Sequence, residues 1–279
     1  MQLIAVGDNI TDCYPEFDLM FPGGNCVNVA VHAARLGTTT SYLGSVGDDD
    51  RGRQLVDALR SEHMNISHLR IQPGSTGYAT VLHEDGERTF GPFDRGASRV
   101  SLVPTDFDFV AQHAMAHSSY AAQLEADIPE LAERAPVSFD FDAHTGDDYA
   151  QQLMPSVSYA FFSASHFAAK DIRELLSWAC GSGASSALAT RGAQGAIYFD
   201  GTTFTTQPAR RALVRDTLGA GDAFVAAVLH GILTGQAAPV FLARAATLSA
   251  SVCENLGAFG HSTALSAGQH LPVPLLPAP

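Results

Sequence analysis

The stretch RDTLGAGDAF, Arg215–Phe224, sets two glycines around an alanine and follows them with an aspartate and an aromatic residue. The run that continues it, LGAGDAFVAAVLHGILTG, carries an apolar face at helical spacing. It predicts a helix whose N-terminus lies at Gly219–Asp222, entered from a strand over ALVRDT. The first N–H groups of a helix have no intrahelical partner and carry partial positive charge, and glycines let a ligand approach that backbone closely. The amides of Gly219, Ala220 and Gly221 are therefore expected to hold a phosphate or a developing anion. Asp222 is expected to orient, and accept the proton of, a hydroxyl attacking phosphorus beside them. An aspartate with a reference pKa of ~3.9 is a weak base, which suffices for phosphoryl transfer because positioning outweighs early proton removal. Read in isolation, the same residues are equally a tight turn with a helix-end acid. G-A-G-D-A-F lacks the third glycine of a dinucleotide fingerprint and its strand-end acid at ~20 residues, and no G-x-x-x-x-G-K-[ST] occurs.

Outward from this turn, short apolar runs alternate with helical patterns. LIAVG, SYLGSVG, VSFDFD, SYAFF and SSALAT read as parallel strands covered on both faces. NCVNVAVHAARLG, RGRQLVDALRSE, IPELAERA and AKDIRELLSWACGSG read as helices, two of them ending at a glycine stop. The fold class is α/β with a mostly parallel central sheet. From Ser67 to Phe93 the helical period is lost and EDGE joins two β-prone runs as a hairpin would. A small β-lid is expected there, built from about 12–22 and 67–97, on one domain spanning 1–265. The proline-rich tail 266–279 reads as extended.

The chain has 279 residues with 16 basic and 29 acidic side chains, a formal net charge of -13. That charge repels nucleic acid and anionic membranes, so neither is an expected partner. The four cysteines, Cys13, Cys26, Cys180 and Cys253, form no C-x-x-C and no close Cys/His group, so a zinc site or disulfide framework is not indicated. With no export signal or membrane span in the sequence, a cytoplasmic location is expected. His113 and His117 have metal-pair spacing, but a strand beginning near Ala114 would separate their rings.

Near the N-terminus, Asp8 and Asp12 follow the first strand, and Gly23 and Gly24 precede a helix carrying Asn25 and Asn28 in its first turn. Carboxylates and amides there suit the paired hydroxyls of a sugar, while Asp8 and Asn25 read equally as caps. Together, the G-x-x-x-x-D, G-G-x-x-x-N and D-T-x-G-A-G-D-x-F elements resemble the ribokinase-like (PfkB) family of carbohydrate kinases, over roughly Leu3 to Phe259.

The resemblance implies a three-layer α/β sandwich with a β-lid, using ATP and Mg²⁺ to phosphorylate a sugar hydroxyl. It places the base at Asp222 and the anion hole at Gly219–Gly221, with the sugar at Asp12, Gly24 and Asn28. TRGAQG matches the family's T-x-G-x-x-G, which puts Thr190, Gly192 and Gly195 by the nucleotide phosphates. GAFG puts Gly257 and Ala258 where the adenine pocket is expected, and Asp216 matches a monovalent-cation position, implying K⁺. GDNITDCYP, GGNCVNVAV and VGDDDRG look most like the fructoselysine 6-kinase branch, whose substrates are fructosamines. Many relatives carry N-x-x-E after the strand matching SYAFF, and SASHFAAK has neither residue. Asp140 and Asp142 are then candidates to support the metal through water. The alternatives are a kinase for a plain ketose, pentose or nucleoside, and a sugar-binding protein without turnover. Tyr78, Phe90 and Phe93 are candidates for an apolar lid face that covers substrate or pairs with a second subunit as a homodimer.

Overall fold

The computed structural model describes residues 2–84 and 87–265. Its layering follows from one short strand. In β1 (Gln2–Val6), Leu3 to Val6 are fully buried; Ile4 and Val6 enter the core on one face of the sheet, Leu3 and Ala5 cores on the other. A strand buried on both faces has no use for polar alternation.

The remaining strands are β2 (Ile10–Tyr14), β3 (Leu19–Gly23), β4 (Thr39–Gly47), β5 (Asn65–Gln72), β6 (Thr76–Glu84), β7 (Glu87–Gly96), β8 (Met115–Ser119), β9 (Val137–Asp140), β10 (Tyr159–Ser163), β11 (Ser186–Thr190), β12 (Ala196–Phe199), β13 (Phe204–Gln207) and β14 (Thr263–Ala264). The helices are α1 (Asn25–Arg35), α2 (Asp50–Ser61), α3 (Pro104–Val110), α4 (Ile128–Arg134), α5 (Asp148–Leu153), α6 (Ala169–Gly181), α7 (Ala220–Leu233) and α8 (Ala238–Cys253).

Nine strands form the large sheet in the order β13-β12-β11-β10-β9-β8-β1-β4-β5. All neighbours pair in parallel except the β11–β12 and β12–β13 hairpins at one edge. Helices α3, α4 and α6 cover one face through Phe107, Ile128, Leu131, Ile172 and Leu176. Helices α1, α7 and α8 cover the other through Val29, Phe224, Val228 and Phe241. This is the expected three-layer α/β sandwich.

The lid is a second sheet, ordered β14-β3-β2-β6-β7. Its root is fastened by the VGDDDRG run. Asp49 caps α2 by accepting from the Gly52 amide at 2.9 Å, and also accepts from the Thr76 hydroxyl at 2.6 Å and the Thr76 amide at 3.1 Å. One carboxylate thus ties a helix start to the first lid residue.

Two expectations are corrected. The segment 67–72 is not lid: β5 is the edge strand of the large sheet, paired in parallel with β4 through a bulge. The run ALVRDT is not a strand. It pairs with no strand among the described residues, Leu213 and Val214 are 85% and 63% exposed, and the Arg215 and Asp216 amides bond instead to the Cys253 carbonyl at the end of α8. The tail 266–279 and the acidic side chains of the hairpin tip, Glu84, Asp85 and Glu87, lie outside what is described.

Candidate active site

The C-terminal ends of the parallel strands converge on one rim, the edge where open α/β sheets place ligands. Asp8 follows β1, Ser119 ends β8, Asp140 ends β9 and Thr190 ends β11. Over this rim, α1 and α7 pack side by side with their N-termini close together, and the geometry of the site comes from that meeting.

Gly24, the residue before α1, has φ +109°, and a Cβ there would come within 2.6 Å of the Asn9 backbone, so only glycine brings the helix start this close. Asn25 and Asn28 then project from one helix face, three residues apart. Asn28 Nδ2 donates to Asp222 Oδ2 at 2.7 Å, and Asn25 Nδ2 donates to Asp222 Oδ1 at 2.9 Å and to Asp140 Oδ2 at 2.8 Å. Each oxygen of Asp222 is therefore aimed by an amide from the neighbouring helix.

The orientation of Asn25 is itself fixed. With Nδ2 committed to two carboxylates, its Oδ1 must accept, and the donor is His117 Nε2 at 3.1 Å. His117 Nδ1 in turn accepts from Ser138 Oγ at 2.9 Å. Burial lowers the His117 pKa to about 3, which keeps the ring neutral in this tautomer. Burial pushes the Asp140 pKa up to about 6, an effect opposed by the Asp142 amide and Asn25. His113 bonds elsewhere, to Ser41 and the Phe109 carbonyl, so the two histidines form no metal pair, as the strand reading expected.

Asp222 stands in the first turn of α7, just after the predicted glycine turn. Gly219 is the N-cap with φ +74°, and a Cβ on it would run into Ala258. The Ala220 amide bonds to the Thr217 carbonyl at 3.3 Å, whereas the amides of Gly219 and Gly221 have no hydrogen-bond partner among the described residues. Gly221 is exposed and nothing lies within 4 Å of where its Cβ would be. Unpaired amides at an open helix start suit phosphate oxygens.

Beside this turn lies a cavity of about 470 Å³, lined on its floor by Asp8, Asp12, Gly24, Asn25, Asn28 and Asp222. All three expected sugar positions line it. Asp12, in the middle of β2, is 2% exposed. Asn28 Oδ1 is buried with no partner among the described residues, an acceptor left for a ligand hydroxyl. Asp8 has a capping role as well: its Oδ1 accepts from the Cys26 amide at 3.3 Å and from Ser119 Oγ at 2.9 Å. Asn25 caps nothing; its amide serves Asp222 and Asp140.

Alternation along β2 puts Ile10, Asp12 and Tyr14 on one face. Ile10 and Asp12 reach the cavity, and the Tyr14 hydroxyl donates to Asp216 Oδ2. That oxygen also accepts from the Gly257 amide at 3.2 Å, and Asp216 Oδ1 accepts from the Leu218 amide at 2.9 Å. Burial, then the bond to Asp216, drives the Tyr14 pKa far upward, so the phenol keeps its proton. K⁺ at Asp216 would have to compete with these donors.

Gly257 and Ala258 lie beneath the anion-hole turn. Ala258 is 2% exposed, and its carbonyl is bonded to His32 Nε2 at 3.0 Å. Thr190, Gly192 and Gly195 sit together at the end of β11, with φ +54° at Gly192 and +85° at Gly195, outside the cavity lining. Among the described residues no group of three or more His, Cys, Asp or Glu side chains is arranged to hold a metal ion. SASHFAAK leaves the rim after β10 without an acid.

Several site residues had escaped the sequence reading. Asn9 and Ser98 bond to each other at 2.8 Å in the cavity wall. Tyr14 was legible in principle, since it follows Asp12 by two residues in a strand.

The family described as "pfkB family carbohydrate kinase" matches residues 18–263. A fructosamine kinase, FrlD, of Bacillus subtilis (strain 168) is 41% identical over 266 residues, covering 94% of each chain. A fructoselysine 6-kinase of Escherichia coli (strain K12) is 32% identical over 259 residues, covering 92% of this chain and 99% of the relative. The solved structure of Arabidopsis thaliana ribokinase complexed with ribose and ATP superposes with a TM-score of 0.79 at 20% identity, covering 92% of this chain and 94% of that one. At that identity the superposition speaks for the fold alone.

Proposed function

Because this chain belongs to the pfkB family of carbohydrate kinases, we propose that it transfers the γ-phosphoryl group of ATP to a primary hydroxyl of a fructosamine such as fructoselysine. The observation that carries the reading is the pairing at the two helix starts. Both oxygens of Asp222 are aimed by amides of α1, and immediately beside them the Gly219 and Gly221 amides have no partner among the described residues. Asp222 holds the sugar hydroxyl by hydrogen bond and takes its proton as the new O–P bond forms. The Gly219–Gly221 turn meets the negative charge spreading over the transferred group's oxygens, which is where preorganised donors lower a barrier most. Asp12 and the unpartnered Asn28 Oδ1 take other sugar hydroxyls.

The phosphates of ATP are assigned to Thr190, Gly192 and Gly195, and the adenine to the side of Gly257 and Ala258. Mg²⁺ fits as an ion carried in on those phosphates with its waters, since the described side chains form no cage for it. Asp216 is assigned to the bond with Tyr14. No helix among the described residues is long and apolar enough to cross a membrane, and the reading locates the enzyme in the cytoplasm. A homodimer, if one forms, would form through the lid.

A coupled ADP-release assay over a panel of fructosamines, fructose and ribose, run beside Asp222→Asn, tests this. Turnover on a fructosamine is expected, with kcat at least ~10²-fold lower in the variant. Faster turnover of fructose or ribose would transfer the assignment to a plain sugar, and binding without ADP release on any sugar would leave a binding protein.

A further inference from the structure

The cavity beside Asp222 is lined by both signs of charge. Its lining carries Asp8, Asp12 and Asp222 and also two cations, Arg95, from the end of β7, and Arg99, four residues on. In a chain with 29 acidic against 16 basic residues, six of the described arginines are ion-paired, and Arg95 and Arg99 are the two without an ion pair that line this cavity. Arg35, Arg51, Arg53, Arg60, Arg70 and Arg134 each lie against an Asp or Glu. Arg95 and Arg99 have no such carboxylate among the described residues. One Nη of Arg95 donates to the Ala121 carbonyl, which fixes that guanidinium in the wall, and Arg99 makes no hydrogen bond at all among the described residues.

The lid strands add apolar residues to the same lining. Ala79 and Val81 share a face of β6, and their partners across a bulge are Phe93 and Phe90, so both rings are brought to the same side although they are three residues apart. Phe90, Phe93 and Ala79 all line the cavity. A ligand filling it therefore meets hydroxyl-binding acids, an apolar surface and two guanidinium groups that have no ion-pair partner among the described residues.

We propose that Arg95 and Arg99 bind the carboxylate of the amino acid joined to the sugar, and so select amino acid conjugates over conjugates of simple amines. The inference rests on the fructosamine reading and deepens it. A planar guanidinium binds a carboxylate through two parallel N–H bonds, and an anion held at this wall keeps the sugar end over Asp222. The Phe90 and Phe93 rings cover the methylene stem between them.

The test compares two fructosamines that differ only in the carboxylate, fructoselysine and the fructose conjugate of 1,5-diaminopentane, by kcat/KM in the wild type, Arg99→Met and Arg95→Met. The wild type is expected to prefer fructoselysine by about 10- to 100-fold, the size of one or two charge-assisted hydrogen bonds. In Arg99→Met the preference should fall towards one, and Arg99→Lys should restore part of it. Arg95→Met also breaks a backbone contact, so Arg99 decides the matter if that variant is unstable. Equal use of the two compounds by the wild type, or a preference that survives Arg99→Met, overturns the subsite while leaving the kinase reading intact. Phosphorylation of neither compound would overturn both.

Discussion

Helices α1 and α7 each begin on a glycine with positive φ, Gly24 at +109° and Gly219 at +74°, and they start side by side. Their first turns nevertheless do opposite things. At α1 a protein carboxylate already occupies the positive end: Asp8 accepts from the Cys26 amide. What α1 offers outward is side-chain amides, Asn25 and Asn28. At α7 no acid among the described residues bonds to the Gly219 or Gly221 amide, and what the turn offers outward is those N–H groups and the Asp222 carboxylate. A helix start capped from within can orient a neighbour, whereas one left uncapped can receive a ligand's charge. The site needs both.

Removing the orienting half should have the largest effect after the loss of Asp222 itself. Asn28→Ala leaves Asp222 Oδ2 without its amide, and misplacement of a reacting group by about 1 Å can cost ~10²-fold. A fall in kcat of roughly 10- to 100-fold with little change in thermal stability is expected. Asn25→Ala should lower both, because it takes one partner from the partly buried Asp140 and one from the buried His117, and a lost partner for a buried polar group costs ~1–3 kcal/mol. Equal melting temperatures for the two variants would show that Asn25 holds nothing but Asp222.

The receiving half separates into two glycines. Gly219→Ala must adopt a left-handed conformation costing about 1–2 kcal/mol and also pushes into Ala258. At ~2–4 °C per kcal/mol for a chain of this size class, a fall in Tm of roughly 3–8 °C is expected. Gly221→Ala has open space and no positive φ, so its Tm should stay within ~2 °C while the KM for ATP rises. If Gly221→Ala leaves the KM for ATP where it was, no ligand atom approaches the backbone of Gly221 closely enough to meet a methyl group.

The lid supplies a third contrast. Tyr14 links β2 to the segment just before α7, and Tyr14→Phe would leave the buried Asp216 carboxylate without one of its donors, at about 1–3 kcal/mol. A Tm lower by a few degrees and a raised KM for the sugar are expected, since Asp12 stands on the same strand face. A raised KM for ATP alone would mean that Tyr14 supports α7 and not the lid.

What was legible in the sequence was local. A glycine turn followed by an acid at the head of an apolar helical run is specified within ten residues, and Gly219–Asp222 lies where that pattern put it. The five strand runs and four helical runs were legible because burial on both faces, or on one stripe, leaves a period in the chain. ALVRDT misled because an apolar, β-prone composition says nothing about whether a sheet edge is within reach; here the backbone bonds to Cys253 instead. SHLRIQ was assigned to the lid for the same reason, since choosing between two sheets is a tertiary matter settled by its pairing with β4. Asn25 was read as a cap or sugar ligand because its true partners, Asp140 and Asp222, are 115 and 197 residues away. Arg95 and Arg99 were passed over because a missing counter-charge becomes visible only in three dimensions.

The smallest expected effect probes what lies buried behind α1. His117 and His32 have folded pKa values of about 3 and about 4, below their ordinary 6.5, because burial disfavours the charged ring. The native state therefore binds fewer protons than the unfolded chain, and stability is lost as pH falls from 6.5 towards 4. Asp140 works in the other direction. Its folded pKa of about 6 exceeds the ordinary 3.8, so the native state binds the extra proton and gains stability as pH falls from about 6 to 4. Two opposing histidines outweigh one acid, so the wild type should lose stability across this window, with the loss softened by Asp140. Asp140→Asn removes the softening and still accepts from Asn25, so its Tm should fall more steeply with acid than that of the wild type, by a few degrees between pH 6 and 4. A parallel or shallower decline would mean that Asp140 is already ionised at pH 4, and that Asn25 holds two charged carboxylates in the ground state of the site.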